Sequence, residues 1–395
     1  MSNPWSCTAR WVFPVASPPR SRAVVVVEGG RIAAIEPAGS RRVDLDLGNV
    51  ALLPGLVNAH THLDLSGMRG LAPPVLPLPL WLGQVVGHRR LRSAEQVAAD
   101  IRAGLAECLR FGTTLVGDIS GDGASWGPIG TAPIRAVVFR ELLGATQERA
   151  AAAWDAFVAW RASFVADDTR RPGVSPHAPY SVRAELFARA AGVGLPLMTH
   201  LAETRDEMDL LAERRGPFVE FLQQLGAWDP AGLAASAADV VRLTAPAPTL
   251  LLAHGNYLAD EALPTHATVV YCPRTHRAFG HDRHPLEALL ARGVRVALGT
   301  DSLASSPDLD LLAEARLVRR LHPALPGEAI LRMATLSGAE ALGWDDETGS
   351  LASGKSADVV AVEIGGGDAS DPHDLVLGAT GGVRSVLFRG CWVYG

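Results

Sequence analysis

Pro54-Gly55-Leu56-Val57-Asn58-Ala59-His60-Thr61-His62 is an apolar run that closes on two histidines one residue apart. In an extended strand, residues i and i+2 project to the same face, so His60 and His62 can both reach one ion. Taken alone, the pair could equally be two histidines satisfied by local hydrogen bonds. The arrangement recurs further along the chain: apolar segments close on His200, with Glu203 beginning the next loop, on His254, and on Asp301. Between residues 55 and 344, short strand-like segments alternate with longer amphipathic segments rich in Ala, Leu and Arg. Strand candidates end near Val57, Leu115, Val138, Val174, Met198, Leu252, Val270 and Leu298. Helix candidates include 94–110, 184–191, 206–213, 285–292 and 309–320. Eight strand ends suit a TIM-like (β/α)8 barrel, an α/β fold. A doubly wound open sheet is the alternative, but no G-x-G-x-x-G or Walker sequence follows any strand. Strand C-termini of such a barrel open onto one face, where its active sites lie, so these separate residues are expected to converge. Three histidines and an aspartate make a nitrogen/oxygen donor set suited to Zn²⁺ or Fe²⁺.

The ends of the chain read differently. Ala23 to Glu28, a Gly29-Gly30 turn and Arg31 to Glu36 predict a hairpin, and 358–362, 383–388 and 391–394 read as further strands. An isolated hairpin is only marginally stable, so both ends are expected to share one small β-sandwich domain. The expected division is residues 1–54 with 345–395 for that composite domain and 55–344 for the barrel. The 395 residues, 48% hydrophobic and 20% charged, can bury a large core. A formal charge of −6 without a basic run argues against a nucleic-acid polymer and for a small-molecule partner. Cys7, Cys108, Cys272 and Cys391 are far apart, which predicts neither a disulfide framework nor a thiolate zinc site and fits the cytoplasm. No signal-peptide pattern and no run of 18 apolar residues occurs, so neither export nor a membrane span is expected. A homo-oligomer is compatible with all of this.

The stretches PGLVNAHTHLDLSGMRG, FGTT, SPHAPYSV, HLAET, LLAHG, CPRT, GVRVALGTDSLAS, DLDLLAEAR and GSLASGKSADVVAV run from about residue 50 to 362. Together they resemble the amidohydrolase superfamily, specifically its deaminase and chlorohydrolase branch, including the adenosine-type and aminodeoxyfutalosine deaminases. The resemblance implies that His60, His62, His200 and Asp301 bind metal and that Glu203 and His254 are catalytic. Dinuclear relatives bridge two metals with a carboxylated lysine or a glutamate on the fourth strand. Here the one lysine is Lys355, in the C-terminal β region, and the fourth strand end reads Val174-Ser175-Pro176-His177. One divalent ion per chain is therefore expected, with Zn²⁺ favoured over Fe²⁺.

The implied reaction is hydrolytic deamination of an amino-substituted purine-type ring, carried by an adenosine-like nucleoside such as aminodeoxyfutalosine. A cyclic amide hydrolase or chlorohydrolase at the same site is the rival within the family, and an inactive binding or scaffold barrel is the rival outside it. Glu203 would shuttle a proton to the ring nitrogen, Asp301 would accept one, and His254 would polarise water or hold the departing group. Glu203 could instead cap the following helix. His177 reads as a substrate contact or as a support for a ligand, and Ser302 as a substrate contact. Trp81, in an apolar loop after the first strand, reads as a base-stacking lid or as packing. The pair Arg140-Glu141, at the third strand end, reads as a substrate contact or a local ion pair. Residues 274–284 are His- and Arg-rich where relatives carry a CP-x-S-N sequence. In this loop Arg274, Arg277 or Arg283 could hold an anionic substrate group, or could simply be solvated.

Overall fold

The computed structural model describes residues 4–258 and 261–395. Eight parallel strands form one sheet in strict sequence order. They are β1 (Leu56–Thr61), β2 (Thr113–Ser120), β3 (Arg135–Leu142), β4 (Arg170–Pro176), β5 (Leu197–Leu201), β6 (Leu250–His254), β7 (Ala267–Tyr271) and β8 (Arg295–Leu298). The ring closes between β8 and β1. There Asp301 N donates to His60 O at 3.1 Å, Asn58 Nδ2 to Thr300 Oγ1 at 2.7 Å, and Thr300 N to Asn58 Oδ1 at 3.1 Å.

The period-2 alternation of the strands sorts their side chains. Val57, Leu115, Val137, Phe139, Met198, Leu251, Val270 and Ala297 form one cluster with Leu342 and Trp344. A cluster drawing on seven strands can exist only inside a closed ring. Their alternates, among them Val138, Val174, Leu250 and Leu252, pack outward against the helices. In β1 the register against β2 shifts between Asn58 and Thr61. Such bulges re-aim side chains beside active sites, and this one immediately precedes His62.

The helices at 94–110 and 184–191 form where their periodicity predicts. Ser93 and Gln96 build a reciprocal capping box at the start of the first. Two segments depart from expectation. The stretch containing Trp81 is a helix, Leu78–Leu91, not a loop, because its prolines fall at the first turn, where a missing N–H costs nothing. Part of the His/Arg-rich segment is also helical, Pro273–Phe279, again entered on a proline and closed by left-handed Gly280. Most strands run a few residues beyond their expected ends, because polar residues such as Asp118, Arg140 and Glu141 interrupt the apolar run while still lying on the strand.

The chain ends build two further sheets. One joins Trp5–Thr8, Val24–Glu28, Arg31–Glu36 and Leu45–Asp46; the other carries Val359–Glu363 antiparallel to Val50–Pro54. Cys7, Val25, Ile32, Leu52, Val359 and Leu387 from both sheets share one core, a small sandwich. Arg135, at the bottom of β3, ties the barrel to it through a buried ion pair with Asp358 and a 3.0 Å hydrogen bond to Ser356. No helix among the described residues is long and apolar enough to cross a membrane.

Candidate active site

The barrel mouth brings His60, His62 and His200 together, with ring nitrogens all within 4.8 Å of one another. His62 Nε2 and His200 Nε2 are 3.2 Å apart. Two ligand atoms about 2.0–2.1 Å from one tetrahedral ion are separated by roughly 3.3 Å, so the spacing fits a shared metal. Asp301 Oδ1 lies 3.6 Å from His60 Nε2 and 3.7 Å from His62 Nε2. His200 Nδ1 donates to His177 O at 3.0 Å, which leaves the lone pair on Nε2. His60 Nε2 is buried and makes no hydrogen bond. Burial holds His62 and His200 well below the usual imidazole range, so both are neutral and able to ligate. This donor set fits a divalent metal ion.

Strained backbone aims the remaining groups. Ala202, His254 and Asp301 have φ of +53°, +69° and +56°, a conformation that costs a non-glycine residue about 1–2 kcal/mol. Glu207 offsets this at Ala202: its carboxylate accepts from Ala202 N at 2.8 Å and Glu203 N at 3.0 Å. Capping of that loop thus belongs to Glu207, and the Glu203 side chain is left to face the mouth. Glu203 Oε1 is 3.5 Å from His254 Nε2. Burial pushes the Glu203 carboxyl well above its ordinary range, and the Asp301 and Glu207 carboxylates add to the shift. For Asp301, burial works upward, but His60, His254 and His62 outweigh it and hold the carboxyl low. Its Oδ2 accepts from Ser305 Oγ at 2.8 Å.

A pocket over these groups is lined by His62, Trp81, His177, Glu203, Asp301 and Ser302, among others. It shares Leu82, Val85, Arg89, His177 and Tyr180 with a mainly apolar cavity of about 330 Å³. At the throat between them, Arg89 pairs with Asp64 at 3.0 Å and Glu141 at 2.8 Å. Glu141 Oε1 is buried without a hydrogen bond, 3.6 Å from His177 Nε2. His177 Nδ1 lies 3.0 Å from Ser181 Oγ, and burial lowers its pKa to about 3.

Of the residues singled out in the sequence, His60, His62, His200, Asp301, Glu203, His254, His177, Trp81 and Ser302 converge here. His177 supports His200 too, but through its backbone carbonyl. Trp81 is buried, donates from Nε1 to Ala72 O at 3.1 Å and meets Phe279 edge-on at 5.2 Å. Ser302 Oγ accepts from Ala304 N at 3.3 Å. Four residues fall outside, among them Arg277 and Arg283, which line a separate cavity with Tyr271 and His322. Arg140 is held by the carbonyls of Gly121 and Glu141 and lies 3.5 Å from Asp122 Oδ1; the next residue on the strand, Glu141, is the one that faces the cavity. Arg274 is bound to Glu314 at 2.6 Å and Asp308 at 2.7 Å and lines neither cavity. Sequence reasoning named Glu141 only as a pair with Arg140 and missed Arg89 and Glu207. Only the last left a local signal, the Thr204-x-x-Glu207 spacing of a capping box.

A parallel barrel with a buried histidine and carboxylate cluster at its mouth defines a class of metal-dependent hydrolases. Residues 51–393 match the amidohydrolase family, and the chain belongs to it. A 5-methylthioadenosine/S-adenosylhomocysteine deaminase of Moorella thermoacetica is 31% identical, the alignment covering 96% of this chain and 91% of that one. The crystal structure of an adenosine deaminase from Xanthomonas campestris with bound zinc superposes with a TM-score of 0.78 at 27% identity, covering 98% of this chain and 92% of that one. Aminofutalosine deaminase of Helicobacter pylori shares the fold, with a TM-score of 0.83 at 23% identity over 99% of this chain and 100% of that one.

Proposed function

We propose that this protein is a zinc-dependent aminohydrolase that releases ammonia from the adenine ring of a 5′-modified adenosine-type nucleoside. The observation that carries the reading is the facing pair Glu203 and His254, 3.5 Å apart, beside a histidine and aspartate donor set that opens into an apolar cavity. His60, His62, His200 and Asp301 would hold one ion; Lys355 bonds Thr348 O outside the barrel and offers no bridge to a second. When bound, such an ion supplies Lewis acidity that brings the pKa of a coordinated water toward neutrality. Glu203, with its raised pKa, suits proton transfer to the purine ring nitrogen. Asp301 accepts a proton, and His254 Nε2, which is buried and makes no hydrogen bond, steadies the departing amino group. The free carboxylate oxygen of Glu141 and the His177 ring at the throat suit ribose hydroxyls.

The apolar cavity then takes the 5′-substituent. A carboxylate on that substituent, as in aminodeoxyfutalosine, would meet Arg90 and Arg149 at the cavity wall, and not the 274–283 segment. Buried free thiols at Cys7, Cys108 and Cys272 suit a cytoplasmic enzyme. The test is incubation of the zinc-loaded protein with adenosine, 5′-methylthioadenosine, S-adenosylhomocysteine and aminodeoxyfutalosine, following ammonia and the adenine-to-hypoxanthine absorbance change. Turnover that is lost on chelation and restored by zinc is expected. A protein that holds stoichiometric zinc yet deaminates none of them would overturn the reading, and failure to hold metal would favour a scaffold.

A further inference from the structure

Leu250 and Leu252 of β6 face the outer helices, so an extended continuation of the strand would carry the His254 ring to the outside of the barrel. The ring instead stands 5.2 Å from that of His200 and 5.5 Å from that of His60. The backbone turns it inward, for His254 has φ of +69° and Gly255 of +62°. A non-glycine residue keeps such a conformation only where its surroundings over-determine it. Behind the turn, His284 Nε2 lies 3.0 Å from His254 O. A carbonyl only accepts, so His284 carries its proton on Nε2 and donates. Its ring is 2% exposed and stacked on Tyr271, with centroids 3.9 Å apart at 20°. On the other side of the same turn, Asn256 Nδ2 donates to Glu203 O at 2.8 Å.

We propose that His284 is a positioning residue for His254. Its N–H anchors the His254 carbonyl in the left-handed turn that swings the imidazole into the mouth, and Tyr271 fixes the plane of the anchoring ring. This explains one feature of the His/Arg-rich segment that the reaction itself does not use. The proposal rests on the reading of His254 as a catalytic group.

The test separates the donor from the stacking. His284→Phe keeps a flat ring against Tyr271 and removes the N–H; His284→Gln keeps an N–H near the ε position and removes the ring. In the zinc-loaded enzyme, His284→Phe should lower kcat about 10–100-fold with KM and zinc content unchanged, the range seen when a supporting partner is removed, and His284→Gln should recover most of it. Equal losses in both variants, no loss in the Phe variant, or a Phe variant that does not fold would each overturn the positioning role. His254→Ala is run alongside. Native kcat in that variant would remove the premise, whereas a large loss there with a silent His284→Phe would refute the positioning role alone.

Discussion

Gly299→Ala should damage the metal site without touching a ligand. A Cβ at Gly299 would stand 2.9 Å from His60 Cβ, 2.9 Å from His60 O and 3.1 Å from His60 N. Carbon contacts settle at roughly 3.5–4.0 Å, so the β8 and β1 backbones must separate by about 0.5 Å. Gly299 is not left-handed, which leaves this steric conflict as the whole effect. The seam it opens is the one bridged by Asp301 N to His60 O at 3.1 Å, and its two sides carry His60 and Asp301. A functional constellation tolerates displacements of about 0.5 Å at most. Overpacking should cost about 1–3 kcal/mol of stability, and loss of alignment between His60 and Asp301 should weaken divalent-metal binding about 10–100-fold. Chelator competition measures the affinity, thermal unfolding measures the stability, and kcat follows the affinity. Gly127→Ala, where a Cβ meets nothing within 4 Å, is the silent control. A Gly299→Ala enzyme with native zinc affinity and native kcat would refute the claim that this close approach sets the site.

Glu203→Gln should lower kcat about 10²–10⁴-fold, the usual worth of a positioned acid or base, with zinc content and KM nearly unchanged; a loss under tenfold would remove it from proton transfer. Arg135→Ala leaves the Asp358 carboxylate buried at 0% side-chain exposure without its cation. That should destabilise the fold by about 3–5 kcal/mol in denaturant titration, and an unchanged midpoint would contradict the ion pair as the tie between barrel and sandwich. Burial raises Asp118 to about 8. Because the folded pKa lies above the unfolded value of about 3.9, its contribution is fully present below pH ~4 and is lost as pH rises through about 8. Asp118→Asn should therefore flatten the fall in thermal midpoint across that window, and parallel curves for the two proteins would exclude the assignment.

The residues that meet at the barrel mouth were legible because each terminates an apolar run, and an apolar run followed by His or Asp can be read within ten residues. His60, His62, His200 and Asp301 needed no knowledge of their neighbours, only of the face onto which parallel strands open. The left-handed backbone at His254 was not legible, since nothing in Leu-Leu-Ala-His-Gly distinguishes a ring that continues the strand from one turned inward. Arg274 illustrates the opposite failure. A basic residue in a His/Arg-rich stretch looked free to bind an anion, and Glu314, forty residues on, claims it.

The sequence by itself determined the βα rhythm, the residue types that end its strands and the place of its one lysine outside the barrel, because periodicity and residue type are local properties. Only the tertiary structure decided what surrounds those groups. Arg89 meets Glu141 across 52 positions, and His284 meets His254 across 30. Such pairings arise from ring closure, which brings successive strands and their following helices to one rim, and no local pattern of hydrophobicity or charge encodes them.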